Sequence, residues 1–348
     1  MHAVEAVLVA ESRLGELGEV SPVAPLSGER WLAQRTLPNE LVVLDGQLTP
    51  IWRVRLPAGR RGSAAVAEDL SLVALPQDGQ VLLLDGTGRQ LASFPASSSN
   101  KTSSGCSCAV FTNDDTYLWA ILPARGTARP GTASQELWLI DVATGSVLDR
   151  RRLAVDVNHC GCRLLRHPDG RTIGLSLWAE AGALIGWAGT DRGRIGLRLA
   201  PWRDRVLANV HPAGAEYLTL PHRGEDEPDE PLARGGEDEL LRHRLRDDRP
   251  VGVLAASAVH PEEWWECQAG YLTGELILAS TIDSGQHVLV GTAPMRPLAE
   301  VVYPKPIATS WSFPSGQGTW LTVSGPGPGM QRWVLPLAPG AQLQLPLI

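Results

Sequence analysis

The sequence predicts an all-β fold, a seven-bladed β-propeller of four-stranded antiparallel blades, and three observations predict it. A short hydrophobic strand followed by a turn and a second extended stretch recurs seven times, at spacings of roughly 40 to 56 residues, as in propeller blades. Glycine and proline, 36 and 27 in number, are spread along the chain, which suits many short strands and turns. A chain of 348 residues exceeds a usual single core of about 250 to 300 residues, which favours a repeated unit.

The recurring strand is clearest in three copies. These read Leu-Val-Val-Leu-Asp at 41–45, Val-Leu-Leu-Leu-Asp at 81–85 and Leu-Trp-Leu-Ile-Asp at 137–141. Each leads through a turn into a further extended stretch, at 51–56, 91–94 and 147–153 respectively. Four fainter copies follow at 184–187, 240–244, 288–291 and 331–335.

The earlier strands of a blade are visible between residues 160 and 187. An extended stretch at 160–166 precedes the turn His-Pro-Asp-Gly at 167–170, and further strands follow at 172–178 and 183–187. Proline early in a turn fixes φ, and glycine accepts the positive φ that closes a hairpin. The same plan recurs at 106–122 and 265–280. We therefore expect one propeller domain over 1–348.

The two ends of the chain are expected to join. Residues 4–10 and 342–347 are both apolar and strand-like. An open ring would expose unpaired strand edges. The sequence therefore predicts that the termini complete one composite blade.

The charge balance is mildly acidic. There are 38 carboxylates against 31 basic residues, a net charge of −7, which does not supply the basic field of a general nucleic-acid binder. Only Lys101 and Lys305 are lysines, an imbalance that hints at a GC-rich bacterial genome.

Targeting signals and cysteine content favour a cytoplasmic location. The first residues carry no basic segment followed by a long apolar run, and no stretch of about 18 apolar residues could span a bilayer. Five cysteines, an odd number, fit a reducing compartment better than a secreted disulfide framework.

Two insertions interrupt the repeats. One is rich in serine, at about 96–105, and the other is strongly acidic, at about 223–238. A run of like charges repels itself and disfavours compaction. A solvated surface loop is the simpler interpretation of the acidic insertion, and a dedicated partner site is the alternative.

Two stretches resemble known propeller repeats. Residues 159–187, with His-Pro-Asp-Gly between two strands and Trp187 at the end of the third, resemble a repeat of the WD40 type. Residues 136–149, Glu-Leu-Trp-Leu-Ile-Asp-Val-Ala-Thr-Gly-Ser-Val-Leu-Asp, are similar to a repeat of quinoprotein-like propellers. The resemblance covers most of the chain, although the Trp-Asp dipeptide is absent. It implies seven blades and, for the WD40 class, a non-enzymatic binding platform, and it implies no catalytic residue.

A group of thiols is the first candidate site. Cys106 and Cys108 begin one repeat, and His159, Cys160 and Cys162 begin the next. Alternation along a strand places both members of a Cys-x-Cys pair on one face. If adjacent innermost strands bring them together, tetrahedral zinc is chemically possible. Cysteine is also a small hydrophobe that packs well where blades narrow, and the sequence favours that alternative.

The second candidate is the run His-Pro-Glu-Glu-Trp-Trp-Glu that starts at His260. Trp264 and Trp265 must point to opposite faces of an extended chain, so one can pack between blades while the other faces a surface. Tryptophan beside carboxylates such as Glu266 is typical of sites that bind cations or aromatic groups. The alternative is that both indoles are packing residues, since the chain has 12 tryptophans and only three phenylalanines.

Two classes of function are compatible with these residues. A binding platform would recognise a protein or peptide with its loops and central channel. An enzyme would use single residues such as His159, Glu266 or Asp114 at a channel mouth near Cys106, Trp264 and Trp311, perhaps with a metal. No catalytic motif, nucleotide fingerprint or cofactor signature is recognisable, which favours a platform without a cofactor or membrane partner.

Overall fold

The computed structural model describes residues 1–12, 20–35, 39–58, 62–77, 79–95, 106–124, 133–157, 160–179, 182–222, 238–282, 284–324 and 329–336. Most of both insertions, 96–105 and 223–237, therefore lies outside the described residues, as does the segment 342–347. No helix in the described ranges is long and apolar enough to cross a membrane.

Twenty-nine strands, numbered in chain order, form seven sheets. The chain starts with β1 (His2–Glu5) and β2 (Val7–Ser12). Blade 1 is β3 (Val20–Leu26), β4 (Arg30–Arg35), β5 (Glu40–Leu44) and β6 (Pro50–Arg55). Blade 2 is β7 (Ala65–Val66), β8 (Leu72–Gln77), β9 (Gln80–Asp85) and β10 (Gln90–Pro95). Blade 3 is β11 (Cys108–Phe111), β12 (Tyr117–Pro123), β13 (Ala133–Asp141) and β14 (Ser146–Val157).

The remaining blades follow the same plan. Blade 4 is β15 (Cys160–Arg166), β16 (Ile173–Ala179), β17 (Gly182–Asp191) and β18 (Arg194–Arg203). Blade 5 is β19 (Arg205–Val210), β20 (Glu216–Pro221), β21 (Glu239–Arg244) and β22 (Pro250–Ala255). Blade 6 is β23 (Trp265–Tyr271), β24 (Leu276–Thr281), β25 (His287–Thr292) and β26 (Met295–Val302). Blade 7 contains β27 (Ile307–Pro314), β28 (Thr319–Ser324) and β29 (Gly329–Val334).

The predicted seven-bladed fold is confirmed. Each of the seven recurring hydrophobic stretches coincides with the third strand of a blade, from β5 in blade 1 to β29 in blade 7. Third strands read as continuous apolar runs because both of their faces pack against neighbouring blades. In β5, for example, every residue is buried.

The first strand of each blade is the innermost one. These strands contact one another around the ring from β7 through β11, β15, β19, β23 and β27 to β3. We call the face at which the innermost strands begin the upper face, and the face at which they end the lower face. Antiparallel order places the connections between blades, and the turns between second and third strands, on the upper face.

The N-terminal segment completes the ring, as the sequence predicts. Strand β2 pairs antiparallel with β29, with Val7 opposite Val334, and supplies the outermost strand of blade 7. Strand β1 instead pairs parallel with β26 and adds a fifth strand to blade 6. Residues 4–10 are thus divided between two blades at Ala6, which is 1% exposed and donates its N–H to the Val302 carbonyl at 2.8 Å.

An apolar cluster fills each junction between successive blades. Seven such clusters occur within the described residues, and each draws side chains from two adjacent sheets. Indole rings supply much of this volume, as the composition predicts. The fully buried tryptophans among the described residues are Trp31, Trp119, Trp138, Trp265, Trp320 and Trp333.

Glu68 links four blades on the lower face. Its carboxylate accepts from Arg30 of blade 1 at 3.0 Å and from Arg166 of blade 4, and its backbone N–H donates to Asp115 Oδ2 of blade 3 at 2.9 Å. Burial raises the pKa of Glu68, but the hydrogen bond from Ser27 and the charges of the two arginines outweigh it and lower the pKa. The carboxylate therefore stays ionised and ties these blades together.

Two His-Pro turns make equivalent links further around the lower face. The backbone N–H of Asp169 donates to His167 Nδ1 at 3.2 Å, so Nε2 carries the proton and donates to the Gly214 carbonyl at 2.8 Å in the next blade. His211 repeats the arrangement, with Nε2 at 3.0 Å from the Gly274 carbonyl. The His-Pro turn thus both closes a hairpin and joins two blades.

Backbone groups and an ion pair link the remaining junctions. The Asn113 N–H donates to the Gly170 carbonyl at 3.3 Å, and the Gly318 N–H donates to the Leu272 carbonyl at 2.6 Å. Arg332 of blade 7 pairs with Glu29 of blade 1 at 2.7 Å. A polar contact on the lower face therefore spans every junction of the ring.

Truncation tests the closure of the ring. Deleting residues 1–10 removes β1 and most of β2, which exposes the edge of β29, so we expect the melting temperature to fall by more than about 10 °C. Deleting residues 1–5 alone leaves four strands in every blade and should cost much less. An unchanged melting curve after the longer deletion, measured by circular dichroism, would contradict closure by β2.

A buried histidine lies in a polar network within blade 5. Arg205 Nε donates to Thr219 Oγ1 at 2.8 Å, so the threonine hydroxyl is left to donate to His243 Nε2 at 2.9 Å. The other ring nitrogen faces the Asp248 carbonyl. Burial, with the charge of Arg205, lowers the pKa of His243 from 6.5 to about 4. The imidazole is therefore neutral in the folded protein.

Mild acid should weaken the fold through this residue. Between pH 6.5 and about pH 4 the unfolded chain binds a proton at His243 that the folded chain excludes, so stability falls as the pH falls. The pKa difference corresponds to about 3 kcal/mol of unfolding free energy. His243→Gln should flatten the slope of unfolding free energy against pH, measured by urea denaturation. His260→Gln, at an exposed histidine, should leave it unchanged; equal slopes in all three proteins would contradict this assignment.

Candidate functional site

The thiols lie where the sequence places them, on neighbouring innermost strands. Cys108 begins β11 and Cys162 lies in β15, and these two strands contact each other. Cys108 is 2% exposed within the apolar cluster between blades 3 and 4, and Cys106 and Cys162 pack against that cluster. His159 lies outside the described residues, and the side chain of Cys160 is not among those described.

Among the described side chains, no three histidine, cysteine or acidic groups are arranged to hold a metal. The described thiols contact apolar side chains, which is the packing role that the sequence favours. A zinc site that includes His159 and Cys160 stays a prediction.

Metal analysis tests the role of these cysteines. If they are packing residues, protein purified without chelator should contain far less than one zinc per chain by mass spectrometry. All five cysteines should then react with a thiol reagent after unfolding under non-reducing conditions. Stoichiometric zinc together with protected thiols would assign the cluster to a metal instead.

The adjacent tryptophans lie in different environments. Trp265 begins β23, is 2% exposed, and donates its indole N–H to the Leu254 carbonyl at 3.0 Å within the cluster between blades 5 and 6. Trp264 is half-buried and lines a surface cleft. The alternation of an extended chain thus assigns one indole to packing and the other to a surface.

This cleft opens on the upper face, between blades 5 and 6. It encloses about 290 Å³, and its wall is largely acidic. The lining residues are Asp238 and Glu239 at the start of β21, Ala255 and Ser257 after β22, and Pro261, Glu262, Glu263 and Trp264 before β23. We call this set the acidic cleft.

The connection between blades 5 and 6 is held in place by Asp238. The chain leaves β22 through a short 3₁₀ helix, Ala256–Ala258, and turns again before β23. The Asp238 carbonyl accepts from the Ala256 N–H at 3.1 Å, and Asp238 Oδ1 accepts from the Trp265 N–H at 3.1 Å. Both ends of the connection are therefore fixed to β21, so the acidic cleft is preformed.

Glu263 is the most enclosed carboxylate of the acidic cleft. Its side chain accepts the Ser284 N–H at 3.0 Å through Oε1, and the residue is only 7% exposed. Its second oxygen, Oε2, is buried and has no hydrogen-bond partner among the described residues. A buried polar atom without a partner costs about 1 to 3 kcal/mol.

The other predicted site residues are distributed over the ring. His260 is exposed beside the acidic cleft, and Glu266 is half-buried in β23. Trp311, which is 44% exposed, lies on β27 in blade 7. Asp114 follows β11 on the lower face, where the Thr112 hydroxyl donates to it at 2.7 Å and lowers its pKa. The fold therefore separates Asp114 from Glu266 by the length of a strand.

Sequence reasoning missed half of the acidic cleft. Glu262 and Glu263 stand within the run that begins at His260, but Asp238 and Glu239 lie more than 20 residues earlier, in another blade. The available signal was the position of Asp238 at the end of the acidic insertion, directly before a recurring strand.

The fold has relatives among solved structures. One similar structure is the β-propeller domain of Cps50 (Swd1) from Myceliophteria thermophila, with a TM-score of 0.60 and 12% sequence identity over 95% of this chain and 99% of that chain. This likeness supports the WD40-like fold; the quinoprotein-like resemblance stays a prediction. In all, 874 solved chains match, so the fold is common and does not by itself identify a function. No protein-family model and no curated protein matches the chain.

Proposed function

We propose that this chain is a non-enzymatic interaction module that binds a protein or peptide segment on its upper face. The observation that carries the proposal is the preformed acidic cleft, which is built on two neighbouring blades and held by both hydrogen bonds of Asp238. A rigid site needs little ordering when it binds, which favours affinity. The fold adds support by analogy with other propellers.

The upper face is the part of the ring that can vary without breaking it. The lower-face turns are occupied by contacts between blades, such as those of Glu68 and His167. Both insertions belong to upper-face connections by their place in the strand order. Loops carried on a rigid scaffold are where binding residues concentrate.

The enzyme alternative receives less support from the geometry. Asp114 serves a lower-face turn, where its carboxylate accepts from Thr112 and from the Thr116 N–H at 3.1 Å. Glu266 lies at the other end of an innermost strand. An acid and a base that act together must be within reach of the same substrate.

The class of partner follows from charge. A net charge of −7 and an acidic cleft repel polyanions, so a protein or peptide is the expected partner and general nucleic-acid binding is not. A cytoplasmic location and a bacterial origin remain predictions from the sequence.

Peptide selection tests the proposed function and its location. Immobilised protein should enrich peptides from a random display library, and Ser257→Trp should abolish their binding because it fills the acidic cleft without changing charge. Gln317→Trp places the same bulk in an exposed lower-face turn and should leave binding intact. Failure to enrich any peptide, or loss of binding only with Gln317→Trp, would contradict the proposal.

A further inference from the structure

We propose that the acidic cleft binds an arginine side chain of a basic segment in the partner protein. This proposal rests on the proposed function and adds the chemistry that the site recognises. Three features of the acidic cleft carry it: its charge, the unpaired oxygen of Glu263 and the aromatic wall formed by Trp264.

Charge selects a cation. Four carboxylates line the acidic cleft, from Asp238, Glu239, Glu262 and Glu263. Buried Arg205 lies close enough to interact with the first two, but one positive charge offsets only one carboxylate. Opposite charges within a few ångströms attract strongly where water is partly excluded. An occupant with positive charge is therefore favoured over a neutral or anionic one.

The unpaired oxygen of Glu263 indicates a hydrogen-bond donor in the occupant. Glu263 Oε1 is already occupied by the Ser284 N–H, whereas the buried Oε2 has no partner among the described residues. An arginine side chain carries five N–H donors in a fixed planar arrangement, so one occupant could satisfy Oε2 and reach a second carboxylate.

The rest of the wall favours an organic cation over a metal ion. Trp264 and Pro261 present carbon surfaces to the acidic cleft. A planar, weakly hydrated guanidinium stacks on an aromatic face, whereas a metal ion needs several oxygen ligands and retains water. A volume of about 290 Å³ is at the small end of ligand pockets, which suits a single side chain.

The direct test compares two labelled peptides that differ only in charge. One alternates arginine with glycine-serine spacers, and the other carries citrulline, a neutral isostere, in place of each arginine. We expect the arginine peptide to bind by fluorescence anisotropy in about 50 mM NaCl, and the citrulline peptide to bind at least about tenfold more weakly. Equal affinities would overturn the proposal.

Matched variants locate the binding. Glu263→Gln keeps an acceptor for the Ser284 N–H but removes the charge, and Trp264→Leu keeps apolar volume but removes the ring; each should weaken the arginine peptide by about tenfold. Glu275→Gln makes the same charge change in the same blade but on the lower face, in an exposed turn. It should have no effect. Equal losses in Glu263→Gln and Glu275→Gln would show attraction by net charge alone and would overturn the site.

Two further outcomes separate this proposal from the proposed function. If display-selected peptides bind in a manner sensitive to Ser257→Trp but not to citrulline replacement, the interaction module stands and the arginine site fails. If Ca²⁺ alone binds by calorimetry, loses binding with Glu263→Gln, and the arginine peptide does not bind, the acidic cleft is a metal site. Wild-type melting temperatures in all variants confirm that each loss reflects binding and not unfolding.

Discussion

The pairing of β2 with β29 is the interaction on which the rest of this structure depends. Each blade packs only against its two neighbours, so no central core fixes the ring as a whole. The N-terminal strand completes the last blade after the chain has travelled around the axis, and thereby converts a row of sheets into a closed ring. Every junction, including the one that carries the acidic cleft, is then held from both sides.

The two faces of the ring have different roles because of strand order. Tight turns on the lower face allow close approach, and Glu68, His167 and His211 use it to join blades. Connections between blades open on the upper face, where extra residues do not disturb the sheets. The acidic cleft forms there because Asp238 fixes one such connection against the neighbouring blade. Rigid junctions below thus support a preformed site above.

Much of the fold could be predicted from the sequence because third strands are buried on both faces and read as apolar runs, as at 137–141. The His-Pro turns were also visible, since their residues dictate local backbone geometry. Their role between blades was not, because it depends on which carbonyl the next blade presents. The acidic cleft was half visible at Trp264. Its other half, Asp238 and Glu239, and the burial of Glu263 arise from contacts between blades that no local pattern encodes.

Native-state hydrogen exchange tests most directly whether the ring depends on its closing strand. The amides of β2 that donate to β29 should exchange with the same opening free energy, and the same denaturant dependence, as the amides of β5 in blade 1. That result would show that β2 separates only when the whole ring opens. Exchange of β2 at a much lower free energy, with β5 still protected, would contradict the account, because the ring would then persist without its closing strand.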